Sequence, residues 1–158
     1  HQWILDIPTM REIKEELKIK AMYEGEDLDK QAEKVLIGAM RVRDALQYIQ
    51  NNSLMIIPGD RDDMIQATCE VHSGKLKKGC VISGIILSGG ILPRIKTLAL
   101  LRSANIPVLI TDEETYAIAS RVHSLVVKLK PQDSHKIKII VDMVEKYVDI
   151  DNILKHLK

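Results

Sequence analysis

Leu54-Met55-Ile56-Ile57 is an unbroken apolar run, and after a Pro-Gly break the chain passes to apolar positions at helical spacing from Asp62 to His72. The alternation then repeats. Strand Ile82 to Leu87 leads to a helix over Arg94 to Ala104, and strand Val108 to Ile110 leads to a helix from Glu113 toward Leu129. That last helix keeps Val122, Leu125, Val126 and Leu129 in register until Pro131. Runs apolar on every residue are what burial on both faces of a sheet requires, and strands alternating with helices imply right-handed crossovers and a parallel sheet. Upstream, Val35-Leu36-Ile37 reads as a strand ended by Gly38, and Val42, Ala45, Leu46 and Ile49 fall at i, i+3, i+4 and i+7 of a helix. Thr9 with Glu12 forms a capping box for a helix from Met10 to about Lys18. Beyond Pro131, Ile137, Ile140, Val141, Val144 and Val148 mark another amphipathic helix, and Ile153, Leu154 and Leu157 a short terminal one. The fold expected is a three-layer α/β/α domain with a mostly parallel, Rossmann-like sheet.

Composition narrows the function more by exclusion than by assignment. The 158 residues suit one core, 46% are hydrophobic, and 23 basic residues nearly balance 22 acidic ones, so no bulk basic surface exists for nucleic acid. No apolar run approaches the roughly 20 residues that span a bilayer, and His1-Gln2-Trp3 lacks signal-peptide character, so a cytoplasmic location is expected. Cys69 and Cys80 fit no zinc or redox spacing and read as buried thiols. With no Phe, one Trp and four Tyr, no aromatic platform for stacking single-stranded bases is apparent. His72 reads as a C-terminal helix residue facing the dipole. His123, His135 and His156 have no metal-ligand spacing, and Lys75, Lys77 and Lys78 read as a solvated loop. No Walker motif, nucleophile elbow or paired acid and base is visible, so no catalytic residue is expected.

Candidate chemistry sits where the parallel strands end. In such sheets ligands bind beyond the carboxyl ends of the strands, where helix N-termini point unpaired N–H groups. Three loops should converge there: Pro58-Gly59-Asp60-Arg61, Ser88-Gly89-Gly90 and Thr111-Asp112 running on to Thr115-Tyr116. Glycines 59, 89 and 90 permit close backbone approach, and Ser88, Thr111 and Thr115 could offer hydroxyls. Against an anion stand Asp60, Asp62, Asp63, Asp112, Glu113 and Glu114, opposed by Arg61 and Arg94. Helix capping accounts for each loop taken singly, with Thr111 and Glu114 as a second capping box. A magnesium-bridged nucleotide would reconcile acidic loops with a phosphate ligand, and Arg61 could either pair the carboxylates or turn toward that ligand.

The loops together resemble the DRTGG domain, through VLIGAM (35–40), IIPGDRDDMIQA (56–67), GIILSGG (84–90), IPVLITDEETYAIASRVHSL (106–125) and KIKIIVDMVEKYVDID (136–151). The resemblance implies a fold like the N-terminal domain of HPr kinase/phosphatase. It also implies a place beside a P-loop module similar to dethiobiotin or cobyrinic acid synthases and a phosphotransacetylase module, or beside CBS domains. On it rest Gly59, Asp60 and Arg61 of the name-giving loop, Gly89 and Gly90 of the second, and Asp112, Thr115 and Tyr116 of the third. Asp62, Asp63 and Met64 stand where the family has Thr-Gly-Gly, which removes backbone freedom from the first loop. Residues 1–8 would then be the tail of a preceding module and 9–158 a single domain.

Two functions follow as expectations. One is a non-catalytic regulatory domain binding a small metabolite or nucleotide at the carboxyl edge; the other is an oligomerisation module whose acidic loops are only caps. Ile139 and Met143 widen the stripe of helix Lys136 to Val148 beyond one sheet contact, which predicts a homodimer.

Overall fold

The structure, a computed structural model, describes residues 7–125 and Lys138. The chain divides into two compact units, and the first ends at Leu125. The helices expected over Lys136 to Val148 and around Ile153 to Leu157, and the continuation of the last crossover helix beyond Leu125, lie outside the described residues.

Helix α1 (Met10–Glu16) starts with the expected box: the Thr9 hydroxyl accepts from Glu12 N, and the Glu12 carboxylate accepts from Thr9 N at 2.7 Å. Strands β2 (Lys34–Ile37), β3 (Ser53–Pro58), β4 (Ile82–Ser88) and β5 (Val108–Ile110) pair in parallel in that order, through Leu54↔Gly84 and Ile86↔Leu109 among others. Strand β1 (Lys20–Tyr23), which the periodicity did not announce, joins the far side of β5 antiparallel, giving the order β1-β5-β4-β3-β2. The connecting helices are α2 (Val42–Ala45), α3 (Asp62–His72) and α4 (Ile95–Ala104), with α5 (Thr115–His123) following β5.

Because the parallel strands advance steadily across the sheet, right-handed crossovers put all three connecting helices on one face. The core shows this. Ala45, Met64, Ile65, Cys69 and Leu101 pack with Met55, Ile57, Ile85 and Leu87 on one side. Met10, Ile13, Ile118 and Val122 pack with Leu54, Ile56, Ile86 and Leu109 on the other. Alternate residues of each central strand thus feed opposite layers, and burying both sets favours the fold by roughly 1.5–3 kcal/mol for each large side chain. No helix among the described residues is long and apolar enough to cross a membrane.

Several local expectations change. The α2 stripe continues through Leu46 to Ile49 as hydrogen-bonded turns rather than helix, with Ile49 N still reaching Ala45 O. Helix α5 begins at Thr115, not Glu113, and Thr111 does not cap it. The Thr111 hydroxyl instead accepts from Glu113 N at 3.2 Å, a turn closed before the helix begins. His72 is no dipole-compensating cation: its Nδ1 accepts from Ile82 N at 3.1 Å, which needs an unprotonated nitrogen. Lys77 is not merely solvated, since its ammonium donates to the Ile49 carbonyl.

Candidate functional site

The three loops do meet at the carboxyl edge, and their hydrogen bonds are made largely to one another. Where β4 and β5 lie side by side, α4 leaves toward one face and α5 toward the other, so the fold opens its crevice between Ser88–Gly90 and Thr111–Glu114. That crevice is laced. Gly89 N donates to Glu113 O at 2.8 Å, Gly90 N to Thr111 O at 2.9 Å, and the hydroxyls of Ser88 and Thr115 meet at 2.8 Å. Gly89 and Gly90 both have positive φ, 80° and 64°, a conformation that L side chains rarely adopt. Here the left-handed pair turns its N–H groups toward β5's loop, so they are not free to cradle a phosphate.

Gly59 serves a different contact. It is buried, and a Cβ there would stand 1.7 Å from the carbonyl oxygen of Ile91, so only glycine lets the first and second loops close on each other. Gly59 N in turn donates to Ser88 O at 3.2 Å.

Arg61 settles between its two expected uses. Its guanidinium grips both oxygens of Asp63, at 2.9 and 3.0 Å, and reaches the carbonyls of Gly38, Ala39 and Met40 in the β2–α2 loop at 3.2, 3.4 and 3.0 Å. The hydrogen bond to Asp63 raises the arginine's pKa, and the same bond holds the Asp63 carboxyl below the usual range. Asp62 faces the opposite way. Its carboxylate accepts from the Thr97 hydroxyl, the larger cause of its lowered pKa, and from Arg94 N at 3.1 Å, so α3 supplies a tertiary cap to α4. The Asp-Asp pair that replaces Thr-Gly-Gly is therefore occupied in tying β2, α3 and α4 together.

Residues 12–125 match the DRTGG domain. The chain belongs to the DRTGG domain family. Among curated proteins it is 28% identical over 145 residues to the phosphate acetyltransferase of Nitratidesulfovibrio vulgaris, covering 90% of this chain and 20% of that protein. It is likewise 28% identical over 152 residues to the Synechocystis phosphate acetyltransferase, covering 94% and 22%. The chain thus spans about a fifth of the length of the curated relatives it matches. A solved structure of the CBS and DRTGG domains of the regulatory region of Clostridium perfringens pyrophosphatase, complexed with the activator diadenosine tetraphosphate, superposes with a TM-score of 0.60. It shares 20% identity over 85% of this chain and 59% of that one, a likeness that shows the fold.

In this DRTGG domain the side chains left facing solvent at the edge differ from those expected to carry chemistry. Asp60, Asp112 and Tyr116 are exposed, Thr111, Thr115 and Arg61 are half-buried, and Ser88 and Gly59 are buried. Tyr116 is 80% exposed one residue past the Ser88–Thr115 contact, and Leu92 and Ile95 are 61% and 85% exposed on either side of Pro93 and Arg94. Leu92 and Ile95 escaped the sequence reading, although a Leu-Pro-Arg-Ile run with no capping residue before a helix is a visible anomaly. The carbonyls of Gly38 to Met40 escaped it too, because every residue carries a carbonyl. Among the described residues no group of three or more His, Cys, Asp or Glu side chains is placed to hold a metal ion. A groove of about 260 Å³ lies instead by the start of β2 and the end of α5, lined by Pro8, Lys34, Val35 and His123 among others, and contains none of the edge residues.

Proposed function

We propose that this DRTGG domain is a regulatory module, without catalysis of its own, that binds a nucleotide or similar metabolite at the carboxyl edge and adjusts a phosphotransacetylase-type neighbour in a longer polypeptide. The observation carrying the reading is the exposed Tyr116, next in sequence to Thr115, whose hydroxyl meets that of Ser88 just before the Gly89-Gly90 turn, with Asp112 and Glu114 exposed in the same loop. An aromatic face beside a backbone stripped of side chains suits a flat base, and exposed carboxylates suit ribose hydroxyls or an amine. Because the N–H groups are laced and Arg61 is engaged, this reading assigns recognition to the nucleoside part of such a ligand, with its phosphates outward carrying their own magnesium. The DRTGG-containing structure from C. perfringens bears a dinucleotide activator, which supports the class of ligand.

Thermal-shift titration of the chain with ATP, diadenosine tetraphosphate and acetyl-coenzyme A, with and without magnesium, tests the proposal. A ligand at 100 times its Kd adds about 2.7 kcal/mol, a readily measured shift. Tyr116→Ala should remove the response while leaving the unliganded melt unchanged. No shift with any of the three ligands at millimolar concentration refutes the reading. ATP hydrolysis or acetyl phosphate formation by the purified chain, lost on substituting Asp60, refutes its non-catalytic half.

A further inference from the structure

Glu113 lies between Asp112 and Glu114 in the β5–α5 loop, and each of its polar groups is taken. Its N–H donates to the Thr111 hydroxyl at 3.2 Å, its carbonyl accepts from Gly89 N at 2.8 Å, and its carboxylate accepts from Arg121 Nη1. Arg121, in the last turn of α5, carries this network off the edge, since its Nη2 donates to the Leu17 carbonyl at 3.2 Å. Leu17 caps the C-terminal end of α1, where a helix leaves its last carbonyls without intrahelical donors and favours a positive charge. One guanidinium thus joins the edge loop to a helix end 104 residues away in sequence.

The turn that follows Leu17 is held in an unusual shape. Lys18 has φ 54°, a left-handed conformation that a residue with a side chain keeps only where its surroundings fix it. Lys18 N donates to Glu15 O at 3.3 Å and Ile19 N to Lys14 O at 3.0 Å, and Lys20 then pairs with Ile110. Because β1 runs antiparallel to β5, this turn stands at the carboxyl edge, beside the start of the β5–α5 loop. The ion pairs of Arg11 and Lys14 hold α1 to the β1–β2 loop, whereas Arg121 ties its C-terminal end to the edge loop. The side chains of Arg121 and Glu113 are 44% and 32% exposed, so this tie can open without unfolding the domain.

We propose that Arg121 is a latch through which the conformation of the β5–α5 loop, and anything that settles on it, is passed to the α1–β1 turn. With Glu113 in place the guanidinium is anchored against Leu17 O and the Lys18 turn stays shut; with Glu113 displaced it loses that anchor and the turn opens more often. The latch stands on these bonds and not on the ligand reading, so either can fail alone.

Amide hydrogen exchange followed by NMR on the 158-residue chain without ligand tests it. The reporters are Lys18 and Ile19, and the reference for global stability is Gly74 and Lys75, hydrogen-bonded past the C-terminal end of α3 at the opposite edge of the sheet. Thr111→Val, which removes the acceptor of Glu113 N, should speed the two turn amides on the order of fivefold relative to the reference pair. Arg121→Gln should speed them at least as much, and adding Thr111→Val to Arg121→Gln should bring no further change. Should Thr111→Val speed the reference pair as well, Glu113→Gln, which keeps its backbone bonds, takes its place with the same expectations. Turn amides unmoved by the loop substitution overturn the proposal. So does an equal acceleration with and without Arg121, which would route the coupling through the β1–β5 ladder.

Discussion

Replacing Arg61 by alanine removes one side chain that fastens two segments. The guanidinium joins the first turn of α3 to the β2–α2 loop, making contacts with both Asp63 oxygens and with three backbone carbonyls. The Asp63 partnership is worth little, because that carboxylate is 56% exposed and a surface pair contributes about 0–1 kcal/mol. The carbonyls of Ala39 and Met40 belong to exposed residues, so water replaces the lost donor there at small cost. The Gly38 carbonyl belongs to a buried residue, and a charged hydrogen bond to such an acceptor is worth about 1.5–3 kcal/mol. Allowing for the half-buried site, Arg61→Ala should destabilise the domain by about 2 kcal/mol, and lower a urea midpoint by roughly 1 M for a typical m-value. Arg61→Lys keeps the charge but loses the fork, and should fall between the two. Lys78→Ala, in an exposed loop, is the neutral control; Lys77 is unsuitable because of its bond to Ile49. An Arg61→Ala midpoint indistinguishable from that of Lys78→Ala would show that the five contacts are incidental.

Gly59→Ala should cost more than about 3 kcal/mol in the same melts, since its Cβ would meet a backbone oxygen at 1.7 Å. Gly84→Ala, whose new methyl meets only the flexible Met10 side chain, should cost about 1–2 kcal/mol; a reversed order would refute this reading of the two contacts. Burial, and then Lys30, lower the pKa of His72 below its ordinary 6.5, so its contribution to stability is fully present above that pH and is lost as pH falls through the folded pKa. Urea melts between pH 7.5 and 5 should therefore show a decline that His72→Gln lacks, and an NMR titration midpoint above 6.5 would contradict it. Burial also pushes the Cys69 thiol up to about 12, and Cys80 is buried as well, so thiol reagents should modify both at the rate of unfolding; a fast reaction in the native protein counts against this.

The central architecture was legible because burial on two faces leaves β3 and β4 mostly apolar, the buried Ser53, Ser83 and Ser88 apart, and Ser53–Pro58 and Ile82–Ser88 emerge within a residue or so of their apolar runs. Strand β1 was hidden for the opposite reason. It has four residues, of which Lys20 is exposed and the rest half-buried, and its place depends on β5, from the other end of the fold. At the edge, the meeting of the loops followed from topology, but the partners did not. Sequence shows that Gly89, Gly90 and Arg61 have donors to give; which acceptors take them depends on carbonyl directions at Thr111, Glu113 and Gly38 to Met40, to which side-chain identity is nearly indifferent.

The antiparallel pairing of Lys20–Tyr23 with Val108–Ile110 also bears on how the chain is born. During synthesis β1 leaves the ribosome before β2, β3 and β4, yet among the described residues its sheet partner is β5, which follows them all. Helix α1 packs in the same layer as α5 and faces a similar wait. The parallel strands can assemble one by one behind their helices, but the N-terminal layer docks only when the whole sheet is in place, a late, long-range closure of the kind that slows folding. In a polypeptide where other modules flank this one, that closure sets the moment at which the domain becomes a finished body beside its neighbours.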